Sequence, residues 1–148
     1  MPLPETISIE KRHWAEELLQ QPVLARLATA NPLTLQPHVV PVWFLWDGDA
    51  VWISCFSSTR KVKDLQKNLQ TAILIEPNPQ SNYPIQAVLF EGKAELITQP
   101  QDFIAEMSLK IYTRYMGEEG VKAAEPQSWA VDPENRIVKL LPEKTFIW

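Results

Sequence analysis

The stretch His38 to Trp46, HVVPVWFLW, constrains the fold more than any other part of the chain. Its β-branched and aromatic residues suit a pleated strand. They are apolar at successive positions rather than alternate ones, so a strand here needs both faces covered. Pro41 has no N–H to give a neighbouring strand, so the run carries an edge, a bulge or a ligand at that point. Asp47-Gly48-Asp49 has the residue types of a hairpin turn, and Ala50 to Phe56 reads as the return strand.

Further strands are expected at Val23 to Thr29, ended by the turn Asn31-Pro32, and at Thr71 to Glu76. Ala87 to Ile97 alternates, with Val88, Phe90, Gly92, Ala94 and Leu96 on one face. Arg136 to Leu141 is another strand, and Thr145 to Trp148 a possible last one. Ile9 to Gln20 reads as an amphipathic helix, with Ser8 as N-cap and Pro22 beyond its end. Thr59 to Asn68 places Val62, Leu65 and Leu69 on one helical face. Gln101 to Tyr115 carries the stripe Ile104, Met107, Ile111 and Tyr115. Pro77 to Pro84 reads as a polar, proline-rich loop, and Met116 to Glu134 as an irregular surface loop. Strands joined mostly by hairpins predict a mainly β fold with peripheral α. The expected form is an antiparallel barrel of about six or seven strands with about three short helices.

The chain has 148 residues, so a single domain over 1–148 is expected. With 45% hydrophobic and 22% charged residues it has the composition of a soluble globular protein. Its net charge of −4 argues against a nucleic-acid surface. No apolar run is long enough for a membrane helix, and Met1-Pro2-Leu3-Pro4-Glu5 lacks the marks of a secretion signal. The one cysteine, Cys55, fits a reducing compartment, so a cytoplasmic location is expected. Two histidines, His13 and His38, make no metal-ligand set. Glycine is scarce, at four residues, which excludes a Gly-rich phosphate loop of the nucleotide-fold kind. Trp43, Trp46 and Trp52 cluster in sequence; they suit a buried core or, alternatively, the wall of an aromatic ligand site.

The strand-to-helix junction Phe56-Ser57-Ser58-Thr59-Arg60-Lys61-Val62 is where chemistry can sit. Three hydroxyls precede a helix whose first turn carries two cations. The positive end of the helix dipole disfavours cations there. Free backbone N–H groups, hydroxyls and two cations at one point describe an anion site, and Arg can fork onto phosphate oxygens. The competing reading is that Ser58 or Thr59 merely caps the helix while Arg60 and Lys61 stay in solvent. Ser58-Thr59-Arg60-Lys61 also spells the S-x-x-K of serine acylases, but no S-D-N or K-T-G follows.

With these blocks in order, the chain resembles the FMN-binding split β-barrel superfamily related to pyridoxamine 5′-phosphate oxidase. Arg26-Leu27-Ala28-Thr29 looks like that family's first barrel strand, and Pro37 to Phe44 like its second. Ser57 to Lys61, through Leu65 and Asn68, looks like its phosphate loop and following helix. Phe90-Glu91-Gly92-Lys93-Ala94-Glu95 looks like a later strand, and Arg136 to Pro142 with Trp148 like the last ones. The turn at Asn31 to Gln36 departs from the family by having no glycine. The block that holds the pyridoxal substrate in the oxidase proper has no counterpart.

The resemblance implies that Arg60 and Lys61 bind the ribityl phosphate, with Ser57 or a neighbouring hydroxyl helping and Arg26 reaching it from the first strand. Val40, Pro41 and Val42 would run their backbone along the isoalloxazine, and Gln86 stands near the place of a flavin-contacting glutamine. It implies FMN, or alternatively a deazaflavin or, in some branches, haem; with only two histidines and neither in a tail, haem ranks last. It implies a homodimer with flavin sites at the subunit interface. The function implied is a flavin-dependent oxidoreductase of unassigned small-molecule substrate; the alternatives are a non-catalytic flavin carrier or sensor and a deazaflavin-dependent reductase. No residue is assigned a catalytic role.

Overall fold

The computed structural model describes residues 2–78 and 85–148. Thus most of the proline-rich loop expected over 77–84 lies outside the described residues. Among the described residues nine strands and four helices form, more than the sequence suggested. They are α1 (Ile9–Leu19), β1 (Ala25–Ala30), β2 (Pro37–Val42), β3 (Leu45–Trp46), β4 (Val51–Phe56), α2 (Arg60–Lys67) and β5 (Gln70–Ile75). Then follow β6 (Val88–Lys93), β7 (Glu95–Ile97), α3 (Gln101–Gly120), α4 (Ala124–Val131), β8 (Asn135–Leu140) and β9 (Lys144–Ile147). The pairings make two antiparallel sheets, β2-β1-β5-β6-β9 and β3-β4-β8-β7, rather than a single closed ring of strands.

The extra strands have one cause: two apolar runs each cross from one sheet to the other. HVVPVWFLW is not a single strand. It splits into β2 in the first sheet and β3 in the second, with Trp43 and Phe44 between them. Phe44 is fully buried. Its main-chain groups leave the ladder and are satisfied by α3 instead: Phe44 N–H donates to the Tyr115 hydroxyl at 3.1 Å, and Arg114 donates to Phe44 C=O. The second run splits in the same way into β6 and β7 around Ala94, whose N–H bonds Leu69 C=O at 2.8 Å. Its alternation holds, with Val88, Phe90, Gly92 and Ala94 all buried. Gly92 is needed for space: a Cβ there would stand 3.1 Å from Glu143 N and 3.3 Å from Leu140 Cδ1.

The helical count also changes. The segment read as a loop over 116–134 holds the end of α3 and all of α4. Gly117, at φ 78°, kinks α3 within its own length, and Gly120, Pro126 and Pro133 give the segment the look of a loop. α1 begins as expected, with Ser8 Oγ accepting from Lys11 N–H at 3.3 Å. The glycine-free β1–β2 turn is built on Asn31, whose Oδ1 accepts from Leu33 and Thr34 N–H at 2.8 and 3.2 Å, and on Leu35 at φ 60°.

Two cores result. One lies between the sheets and under α1 and α2, around Leu19, Leu27, Phe44, Ile53, Ile73 and Phe90. The other joins the outside of the four-stranded sheet to α3 and α4, through Trp52, Ile104, Ile111, Tyr112 and Ile137. The tryptophans that cluster in sequence part company. Trp46 stacks on Phe90 at 5.0 Å in the first core; Trp43 stacks on Tyr115 at 4.8 Å and Trp52 packs by Phe103 at 6.1 Å in the second. Among the described residues no helix is long and apolar enough to cross a membrane.

Candidate functional site: the β4–α2 junction

β4 leads into Ser57, Ser58 and Thr59, and α2 starts at Arg60. The helix lies on the first core by Val62 and Leu65 and leaves Lys63, Gln66 and Lys67 exposed. Two polar ties fix its inner side to the end of β1. Thr29 Oγ1 donates to Asp64 Oδ2 at 2.9 Å, and Asn68 Nδ2 donates to Ala30 C=O at 3.2 Å.

The capping reading does not describe this helix. Thr59 holds the N-cap position but gives no side-chain cap; its hydroxyl turns back to donate to Phe56 C=O at 2.7 Å. No acidic residue sits in the first turn. The opening N–H groups of α2 therefore face outward beside Arg60 and Lys61, the arrangement that suits an anion.

Each expected phosphate contact already has a neighbour. Ser57 N–H donates to Glu134 C=O at 2.9 Å, and its hydroxyl donates to the Glu134 carboxylate. Arg60, half exposed, has its Nε 3.9 Å from the buried Asp64 carboxylate. Lys61 is half-buried and close enough to Cys55 to act on it. Burial pushes the Cys55 thiol up to about 12 against the opposing pull of Lys61 and Arg136, so the thiol is neutral and leaves both charges to other partners. Arg136 stands opposite Cys55 in the β4–β8 ladder and donates to Pro133 and Asn135 C=O, both at 2.8 Å. It is a third cation beside the junction, and sequence reading placed it only in a strand.

The remaining expected residues lie elsewhere on the fold. Arg26 is on the outward face of β1, directly opposite Pro41 on β2 and Leu74 on β5. With Leu24, Glu76, Pro77 and Asn78 it lines a cavity of about 200 Å³. No hydrogen bond or ion pair joins it to Ser57, Arg60 or Lys61 among the described residues. Gln86 is exposed two residues before β6.

β2 is an edge strand, which gives Pro41 its reason. Asn31 N–H bonds Gln36 C=O just beyond the last registered pair. The antiparallel alternation then makes Leu27↔Val40 and Ala25↔Val42 hydrogen-bonded pairs. Val40 and Val42 spend their main-chain groups on β1 and turn their side chains inward. Val39 and Pro41 present theirs at the free edge, where a missing N–H costs no ladder bond. Of the three residues expected to run along a flavin ring, only Pro41 offers a main-chain acceptor outward.

The outward face of the five-stranded sheet carries an apolar row around Arg26, while its next row ends in Glu91 and Lys144. The register places Pro41, Arg26, Leu74, Leu89 and Phe146 in one row across it, with Val39 in the next. Val39 is 63% exposed and Phe146 45%.

The fold has close counterparts. A conserved hypothetical protein, Rv2991, from Mycobacterium tuberculosis superposes with a TM-score of 0.77 at 20% identity, over 96% of this chain and 84% of that one. An F420 reductase superposes at 0.70 and 24% identity, over 88% and 94%. HutZ, the heme storage protein from Vibrio cholerae, superposes at 0.72 and 15% identity, over 91% and 92%. At such identities the likeness is one of fold. No curated protein matches the sequence. The family model described as pyridoxamine 5′-phosphate oxidase matches residues 13–148, which take in every strand, the β4–α2 junction and the Arg26 face. This chain belongs to the pyridoxamine 5′-phosphate oxidase family.

Proposed function

We propose that this chain binds FMN and is a flavin-dependent oxidoreductase. The single observation that carries the reading is the open start of α2, where uncapped N–H groups meet Arg60 and Lys61 with no acid in the first turn. In a member of this family, that is where a flavin phosphate fits. Arg60 forks onto the phosphate oxygens, Lys61 adds a point charge, and the Ser57 hydroxyl donates once released from Glu134. Arg26 and the Pro41 edge are the second part of the site, on the outward face of the sheet. When bound, the flavin supplies the redox chemistry; the chain supplies grip, orientation and shelter. The apolar row on the outward face supports assembly as a homodimer, with a second copy covering it.

The test is direct. Protein reconstituted with FMN should hold it, and R60A/K61A should lose at least about a hundred-fold in affinity, as expected for two charge-assisted contacts of about 1.5 kcal/mol each. Isothermal titration measures this. A double variant that binds FMN as tightly as the parent sinks the phosphate assignment. An absorbance scan separates the alternative, since a deazaflavin and an oxidised flavin differ in spectrum. Chemical reduction of the bound flavin, followed by a panel of acceptors, separates an oxidoreductase from a carrier.

A further inference from the structure

Two groups that the flavin reading puts on the phosphate, the Ser57 hydroxyl and the Arg60 guanidinium, each face a carboxylate of this same chain. The two carboxylates differ in kind. Asp64 is buried and held by Thr29 Oγ1 at 2.9 Å, so it is a fixture. Glu134 is exposed, on the turn between α4 and β8, and its carboxylate sits on the Ser57 hydroxyl.

The main chain of that turn is pinned independently of the Glu134 side chain. Glu134 N–H donates to Asp132 Oδ1 at 2.8 Å, and Asn135 N–H donates to Asp132 C=O at 2.9 Å. Arg136 holds the carbonyls on either side, those of Pro133 and Asn135. Ser57 N–H holds Glu134 C=O. The side chain can therefore swing away without loosening the turn, and its carboxylate recovers water when it does. A phosphate that takes the Ser57 hydroxyl must displace Glu134 and then sit beside its charge.

We infer that Glu134 is a displaceable internal anion on Ser57, and that it lowers the affinity for phosphate-bearing flavin relative to phosphate-free flavin. The inference rests on the flavin reading above. Removing one charge at about 4 Å in water is a change of about five-fold in affinity.

The experiment titrates FMN and riboflavin into the parent, E134Q, S57A and S57A/E134Q, following flavin fluorescence. Thermal melts verify that each is folded, and E134A serves as a second variant. E134Q keeps the size and an acceptor oxygen but loses the charge. It should bind FMN about five-fold tighter and riboflavin as the parent does. S57A should weaken FMN binding and abolish the gain from E134Q. The inference is overturned if the parent binds FMN but E134Q does not tighten it, or tightens riboflavin equally. If the parent binds neither flavin, the flavin reading itself fails. Inorganic phosphate, followed by the amide shifts of residues 57–61, then decides the role of Glu134 alone. Tighter phosphate binding by E134Q upholds it; equal or absent binding sinks it.

Discussion

At the scale of single residues, Cys55 links the site to the stability of the fold. The thiol titrates near 9.0 in its ordinary state, and burial pushes it up to about 12 against the pull of Lys61 and Arg136. Between those values the unfolded chain gives up a proton that the folded one keeps. The contribution is therefore complete below about pH 9 and is lost as pH rises toward 12, on the order of 1 kcal/mol per pH unit. Burial raises Tyr112 and Tyr115 as well, with the same sign, so their contribution begins to be lost above about pH 10, within the Cys55 window. Urea denaturation from pH 8 to 11 should show stability falling in the parent and falling less steeply in Cys55→Ala. Equal slopes in the two proteins would refute the assignment to Cys55. This scale also marks how much of the site the sequence made readable. Ser57 to Lys61 is contiguous, and its mismatch with the helix dipole is a local signal. Glu134 and Arg136 reach the junction only through the β4–β8 pairing, and Thr29 reaches Asp64 only through the fold. None of those partnerships leaves a mark in local spacing.

At the scale of elements, Arg114 holds together three pieces that hydrophobic packing alone would leave loosely joined. From α3 it donates to Leu19 C=O at 3.2 Å and Gln21 C=O at 2.9 Å, taking up carbonyls at the end of α1. It also donates to Phe44 C=O at the crossover between the sheets and lies 4.8 Å over the Phe44 ring. Tyr115 completes the tie, donating to Val23 C=O at 2.7 Å. Arg114→Ala leaves partly buried carbonyls without a donor, and should cost about 3 kcal/mol in urea denaturation. Arg114→Lys should recover little, because an ammonium cannot fork across three carbonyls. Full recovery by lysine would refute the forked role. The same tie explains where reading by element fell short. Propensity and alternation found β1, β4, β5, β6 and β8, because each is paired along its length. They could not show HVVPVWFLW breaking at Trp43 and Phe44, because the bonds that replace the ladder there come from Arg114 and Tyr115, some 70 residues along the chain. α4 was hidden for a different reason: Gly117 and Gly120 do break the helix before it, and Pro126, which reads as another stop, sits in the first turn of α4, where a missing N–H is tolerated.

At the scale of the whole molecule, the proposed dimer rests on the outward face of the five-stranded sheet. Val39, Pro41, Leu74, Leu89 and Phe146 form an apolar field with Arg26 among them, and β2 adds an unpaired edge. A face and an edge of this kind invite association, and a self-complementary twofold contact is the simplest assembly that covers both. A stable interface needs about 800 Å² from each partner, which a five-stranded face can supply. Val39 on β2 is 63% exposed, so Val39→Asp buries a charge in any such contact while leaving the fold of one protomer intact. Sedimentation velocity should give a dimer for the parent and a monomer for Val39→Asp, with unchanged circular dichroism. The same variant also separates two ways of building the flavin site. If the cleft between subunits forms part of it, Val39→Asp should weaken FMN binding by about ten-fold or more, although Val39 touches neither Ser57, Arg60 nor Lys61. If the monomer binds FMN as tightly as the dimer, the grip is complete within one chain and Arg26 has no part in it through a partner. A parent that sediments as a monomer at high concentration would leave the apolar row to some other partner and remove the dimer from the proposal.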